Sequence, residues 1–101
     1  MVRKRDRLRI IYDILKAIND KNDRILHTHI LYKANLSYPI LEQYLQQLLY
    51  NELIKESSLN SKRVYGLTDK GFEYLRKYDV VNDFNRVFGL DSESAEEGAH
   101  A

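Results

Sequence analysis

The sequence predicts a mainly α domain with one small β-hairpin, in the order helix, helix, helix, strand, strand, long helix. Two stretches carry that prediction. Ala34-Asn35-Leu36-Ser37-Tyr38 leads into an apolar-periodic run to Leu49 and reads as the turn of a helix-turn-helix, with Ser37 opening the second helix of the pair. Val64-Tyr65-Gly66-Leu67-Thr68-Asp69-Lys70-Gly71 reads as a strand that runs straight into a capped helix.

Leu8, Ile11, Ile14, Leu15 and Ile18 recur at spacings of three and four, the period of one helix face, and place an amphipathic helix from roughly Arg5 to Asn19. The polar run Asn19 to Asp23 ends it. Ile25 and Leu26 suit a very short strand. Thr28 is the expected N-cap of a short helix from His29 to Ala34, which Asn35 ends because Asn tolerates the left-handed conformation. After Ser37, Pro39 sits in the first turn, where its missing N–H costs nothing. Ile40, Leu41, Tyr44, Leu45, Leu48 and Leu49 keep helical period to about Tyr50, and Asn51 is the stop. Leu53 to Ser57 alternates as a strand, Ser58 to Lys62 is a polar hairpin tip, and Arg63 to Leu67 is the return strand. Thr68 caps a last helix whose first turn holds Asp69 on the positive end of the helix dipole. That helix runs to about Phe88, with Gly89 at its end.

The chain has 101 residues, 44% of them apolar, which is one domain with a small core. Such a domain buries only about 60–65% of its unfolded surface, so a partner subunit helps it. There is no cysteine, hence no disulfide and no thiolate metal site. His27 and His29 share a face only in a strand and read as polar residues at a strand end or helix start; with His100 they suggest no metal. No apolar run approaches the ~18 residues of a membrane span, and no secretory segment follows the first charges, so a cytoplasmic, nucleoid-associated protein is expected. The net charge of +1 conceals an asymmetry. Arg3, Lys4, Arg5, Arg7 and Arg9 crowd the start, while Asp91, Glu93, Glu96 and Glu97 lie in a segment without Lys or Arg. With those four set aside, 11 of the 15 acidic residues face 16 basic ones, a net of +5. A basic start on a small domain is the footprint expected for phosphate contact.

Three helices followed by a two-stranded hairpin is the winged-helix order. The wording Ala34-Asn35-Leu36-Ser37-Tyr38, then Leu45, Leu48 and Leu49, Leu53-Ile54, and Tyr65-Gly66-Leu67-Thr68-Asp69-Lys70-Gly71 resembles an archaeal family of small winged helix-turn-helix DNA-binding proteins. That family includes chromatin-associated dimers and predicted transcriptional regulators. The resemblance spans roughly Leu8 to Tyr78. It implies a head that binds double-stranded DNA with its third helix and wing, and a homodimer made through the C-terminal helix. The matching helix is shorter here than in the chromatin-type members, which favours a compact helix pair over a long rod.

In a helix-turn-helix the second helix of the pair enters the major groove. Leu41, Leu45 and Leu48 should face the core, with Tyr44 or Leu49. The outward face then offers Tyr38, Pro39, Glu42, Gln43 and Gln46 for base readout: Gln pairs with adenine and Glu accepts from cytosine. Between Ala34 and Ile54 there is no Lys or Arg. Phosphate contacts must therefore come from Arg3, Lys4, Arg5, Arg7 and Arg9, from Lys33 and Ser37 at the turn, and from Lys62 and Arg63 on the wing.

No catalytic constellation is present: the glycines at 66, 71, 89 and 98 are scattered, and nothing pairs a nucleophile with a base. The chain reads as a binding protein without cofactor, not an enzyme. Two rival readings remain, a protein–protein module on the same scaffold, favoured by the cation-free third helix, and a sequence-nonspecific chromatin-type binder. The expected organisation is a head over residues 1–67 with a basic arm at about 1–7, a C-terminal helix over 68–89, and an acidic disordered tail over 90–101. Phe72, Leu75 and Tyr74 can join the head's core. Tyr74, Tyr78, Val81, Phe84, Asn85, Val87 and Phe88 form the expected dimer interface, because apolar side chains beyond the head are most simply covered by a symmetric partner helix. No residue argues for an effector ligand.

Overall fold

The computed structural model describes residues 5–21 and 24–89, arranged as four helices and a three-stranded antiparallel sheet. Helix α1 spans Arg7–Asp20. It starts two residues later than its apolar period suggests because Asp6 takes extended backbone and its side chain accepts the Arg9 N–H at 2.8 Å, satisfying a donor that the first turn leaves orphaned. Ile11, Ile14, Leu15, Ala17 and Ile18 bury its inner face.

Strand β1 is only Ile25–Leu26, paired with Tyr65 and Val64. That pairing displaces the expected cap. Leu26 is held extended in the ladder, so α2 begins directly after it and spans His27–Ala34; Thr28 lies within the helix and does not cap it. Asn35 adopts the left-handed conformation (φ 54°, ψ 57°). The Leu36 N–H reaches the Leu31 carbonyl at 3.1 Å and the Asn35 N–H the Tyr32 carbonyl at 3.3 Å, the paired bonds of a Schellman ending.

Helix α3 spans Tyr38–Tyr50 and buries Leu41, Leu45 and Leu48, with Tyr44 and Leu49 both half-buried. It ends in the same way as α2: the Leu53 N–H bonds to the Leu48 carbonyl at 2.9 Å and the Glu52 N–H to the Leu49 carbonyl at 3.1 Å. Here a glutamate, Glu52, takes the positive φ of 61°. Strands β2 (Ile54–Leu59) and β3 (Lys62–Leu67) form the hairpin, in the sheet order β1-β3-β2. The strands run further than the polar composition of the tip suggests. Asn60 and Ser61, both at positive φ, make a two-residue turn between the paired Leu59 and Lys62.

Helix α4 spans Asp69–Val87. Thr68 Oγ1 accepts the Gly71 N–H at 3.1 Å and donates to the Glu52 carbonyl at 2.6 Å, while the Thr68 N–H donates to the Leu53 carbonyl at 3.2 Å. Lys70 Nζ donates to the Asn51 carbonyl at 2.8 Å. The Thr68-Asp69-Lys70-Gly71 stretch therefore fastens the start of α4 onto the end of α3. Glycine at 71 is required by close approach: a Cβ there would lie under 3.0 Å from the Leu53 carbonyl oxygen and 3.3 Å from Leu67 Cδ2. The core gathers α1, Ile25, Ile30, Ala34, the three α3 leucines, Ile54, Tyr65, Leu67 and Leu75. Phe72, expected in it, is 44% exposed, because the helical phase that buries Gly71 and Leu75 turns Phe72 outward.

Candidate nucleic-acid interface

The turn after α2 is three residues long, so the core contacts of Leu41, Leu45 and Leu48 fix which face of α3 looks outward. Tyr38 (58% exposed), Pro39, Gln43 and Gln46 lie on that face, and Tyr50 follows at 87%. Ser37 caps by backbone geometry alone, leaving its exposed hydroxyl without a cap bond.

Glu42 differs from the other four residues expected to read bases. It is half-buried, and its carboxylate lies 3.7 Å from His27 Nε2. The His27 ring packs against Tyr38 with centroids 4.6 Å apart. His27 Nε2 is buried and has no hydrogen-bond partner among the described residues. The sequence marks His27 only as a polar residue at a helix start. Its place beneath the first turn of α3 depends on β1 being so short that α2 begins at residue 27. His27, Tyr38 and Glu42 line one wall of a cleft whose other wall is the wing, with Glu56, Ser57, Ser58, Ser61, Arg63 and Tyr65.

On the wing, Lys62 is exposed, and its side chain has no partner among the described residues. Arg63 is engaged: its Nε lies 3.2 Å from Glu56 Oε2. Its hydrogen bond with Tyr65, and then the Glu56 charge, hold the guanidinium more firmly protonated than usual. Burial pushes the Tyr65 hydroxyl up in turn.

The basic start is distributed unevenly. Arg3 and Lys4 lie outside the described residues. Arg5 points into the head: it bridges Asp13 Oδ2 (2.7 Å), the Ala34 carbonyl (2.7 Å) and the Asn35 carbonyl (2.9 Å). Arg7 reaches across to α3, bonding Gln47 and lying 5.4 Å from the Tyr44 ring centroid. Arg9 pairs with Asp13 at 3.1 Å and lies over Tyr12. Lys33 is exposed, with Asp20 3.8 Å away.

The residues expected at a dimer interface separate into two groups. Tyr74 and Tyr78 pack within the chain against α1: the Tyr74 hydroxyl donates to the Leu8 carbonyl at 2.9 Å, and the Tyr78 ring stacks on Tyr12 at 4.4 Å. The Tyr12 hydroxyl donates to Asp79 at 2.8 Å. Burial first, then the Asp79 hydrogen bond, push Tyr12 up to about 12, and burial does the same to Tyr74. Further along α4, Val81, Phe84 and Val87 are exposed, as is Phe88 at its C-cap, and Asn85 is half-buried. Val80, which the heptad spacing passes over, is exposed beside them. The expected acidic tail lies outside the described residues, as does His100. No group of three or more potential metal ligands occurs among the described residues, and no helix there is long and apolar enough to cross a membrane.

A family model described as winged helix-turn-helix matches residues 4–86. An uncharacterised protein of Methanocaldococcus jannaschii is 41% identical over 78 residues, covering 77% of this chain and 34% of that protein, so the chain spans about a third of its relative's length. Among solved structures, Sso10a-2, a DNA-binding protein from Sulfolobus solfataricus, superposes with a TM-score of 0.73 at 22% identity over 95% of this chain and 94% of that one. MepR, a transcription regulator of the Staphylococcus aureus multidrug efflux pump MepA, superposes with a TM-score of 0.68 at 17% identity over 90% and 71%.

Proposed function

The chain belongs to the winged helix-turn-helix family, and from that premise we propose that it binds double-stranded DNA as a homodimeric transcriptional regulator of the cytoplasm, with α3 in the major groove. Tyr38, Pro39, Glu42, Gln43 and Gln46 meet base edges. Lys62 and Arg63 on the wing, Lys33 and Ser37 at the turn, and Arg7 with the preceding Arg3 and Lys4 supply phosphate contacts, while Arg9 lends charge from within α1. The observation that carries this reading is the outward face of α3: its glutamines and Tyr38 stand exposed beside a wing whose tip carries the exposed Lys62. Glutamine donor–acceptor pairs match adenine edges, and phosphate contacts set register without carrying sequence.

The dimer is proposed to form through the exposed part of α4. Leaving Val81, Phe84, Val87 and Phe88 in water forgoes roughly 1.5–3 kcal/mol for each side chain that a partner would fully cover. A two-fold pair of α4 helices removes that exposure and presents two copies of α3; if these face the same side, the site is a palindrome with half-sites about one helical turn apart, ~34–36 Å. The chain acts by binding and not by catalysis.

A second reading rests on one specific observation: Arg63 is partly neutralised by Glu56, and α3 itself carries Glu42 and no cation. A face of that kind suits a protein partner. Fluorescence anisotropy of the full chain with a mixed-sequence duplex across a salt series separates the two. Binding that falls steeply with salt supports DNA contact, since each neutralised phosphate contributes about 0.9 to the slope. A genomic fragment that survives competition supports a sequence-specific regulator, and uniform binding supports a chromatin-type role. No binding at low salt moves α3 to the protein-docking reading.

A further inference from the structure

Arg5 stands among the basic residues that a DNA-binding arm would use, yet its side chain is turned inward. Its Nη1 contacts both Asp13 Oδ2 and the Ala34 carbonyl at 2.7 Å, and its Nη2 reaches the Asn35 carbonyl at 2.9 Å. Both partners of the ion pair are sheltered, at 26% and 19% side-chain exposure. Asp13 holds a second arginine with its other oxygen, Arg9 Nε at 3.1 Å. Ala34 and Asn35 close α2, where the last carbonyls lack helical partners and the dipole is negative, so a guanidinium is the favoured cap. Only Leu36 and Ser37 then separate this anchored backbone from Tyr38, the first residue of α3.

We propose that Arg5 and Asp13 form a clasp that fixes the helix-turn-helix turn to α1 and thereby sets the angle at which α3 meets its target. Arg5 is then a positioning residue and not a phosphate ligand. Arg7 secures the other end of the same helix, through Gln47 and the Tyr44 ring. Arg5 thus holds the turn that leads into α3, and Arg7 the C-terminal half of α3. The chemistry requires arginine, because one planar fork must serve a carboxylate and two backbone carbonyls together, and a lysine ammonium lacks that fixed geometry. Turned inward against Asp13 and two carbonyls, the Arg5 guanidinium is not presented to phosphate and adds little to counterion release. The proposal rests on the DNA-binding reading for its consequence, but the clasp itself can be tested without it.

The two roles predict opposite results for one substitution. Asp13→Asn removes a negative charge, so if Arg5 is a phosphate ligand, binding tightens or stays level. If Arg5 is half of a clasp, binding weakens, by about tenfold or more for a lost charge-assisted bond. Salt-dependent anisotropy on the full-length Asp13→Asn, Arg5→Lys and doubly substituted proteins, measured well below each melting temperature, reads this directly. The expected result is weaker binding in each single variant, a salt slope equal to that of the unsubstituted protein, and a double variant no weaker than the worse single one. Tighter or unchanged binding by Asp13→Asn, or a slope reduced by about 0.9 in a variant lacking the Arg5 charge, Arg5→Gln, overturns the clasp. A merely stabilising contact lowers the melting temperature and leaves the affinity of folded protein untouched, which also overturns it. Amide spectra of Asp13→Asn supply the second arm: Asn35, Leu36 and Ser37 shift while the wing tip at Asn60 and Ser61 does not. If the unsubstituted protein fails to bind DNA, the DNA-binding reading falls, and the clasp stands or falls on those amide shifts alone.

Discussion

Replacing Gly71 by alanine sets two effects of opposite sign against each other. Helix propensity favours the change, by up to about 1 kcal/mol in a helix interior. Gly71 is the third residue of α4, where the full gain is not available. Against it, the new methyl would sit under 3.0 Å from the Leu53 carbonyl oxygen, with Leu67 Cδ2 at 3.3 Å behind it. The Leu53 carbonyl cannot simply turn aside, since it accepts the Thr68 N–H at 3.2 Å. Pushing α4 away from the end of α3 strains that bond and the Thr68 hydroxyl bond to Glu52, each worth about 1 kcal/mol, in addition to an overpacking cost of about 1–3 kcal/mol. The net expectation is a loss of about 2 kcal/mol, which in a domain of this size lowers the melting temperature by about 8–16 °C. Urea titration followed by far-UV circular dichroism measures it, at one fixed protein concentration because self-association shifts apparent stability. Lys77→Ala on the exposed side of the same helix is the control, expected to change stability by less than about 0.5 kcal/mol. A Gly71→Ala protein as stable as the parent, or more so, would refute the claim that close approach, and not conformational freedom, requires glycine here.

Three further outcomes are expected. Lys62→Ala together with Arg63→Ala weakens binding to every duplex alike and lowers the salt slope; the larger share falls on Lys62, because Glu56 already balances Arg63, and a loss confined to one base position would contradict the assignment. Phe84→Asp with Phe88→Asp makes the chain monomeric in sedimentation velocity while leaving its circular dichroism spectrum unchanged, whereas a dimer that persists places the interface elsewhere. Alkaline unfolding reports the seam between α1 and α4. Tyr12 and Tyr74 are held at about 12, above the free-tyrosine value of about 10, so their contribution is complete below about pH 10 and is lost as pH rises from there toward 12. Tyr12→Phe therefore flattens that part of the stability–pH curve, and an unchanged slope would remove Tyr12 as its source.

The features legible in the sequence are those that local chemistry decides alone. Asn35 signals the left-handed end of α2, Thr68 the start of α4, and the leucine period of α3 its inner face, because each rests on neighbours within a few residues. Residues whose role depends on long-range partners were not legible. Thr28 has the right side chain for a cap, but the pairing of Leu26 with Val64 starts the helix before it. Phe72 has a core residue's composition and the wrong helical phase. His27 reaches Glu42 and Tyr38 only through the packing of α2 on α3. The arginines at the start read as a uniform basic arm, and charge patterning does not reveal that Asp13 and two carbonyls thirty residues away claim Arg5.

The tyrosine stack between α1 and α4 makes the molecule its own reporter. The chain has eight tyrosines and no tryptophan, so its near-ultraviolet optical activity arises chiefly from phenol rings held at fixed angles. Tyr12 and Tyr78, 4.4 Å apart and inclined by 27°, with Tyr74 a further 6.3 Å from Tyr78, form one coupled chromophore across the seam. Tyr32 and Tyr50, almost fully exposed, are free to rotate and contribute little optical activity. Undocking of α4 from α1 would therefore erase a band that melting of the wing leaves intact, and an unlabelled protein in a cuvette can show which of the two parts loosens first.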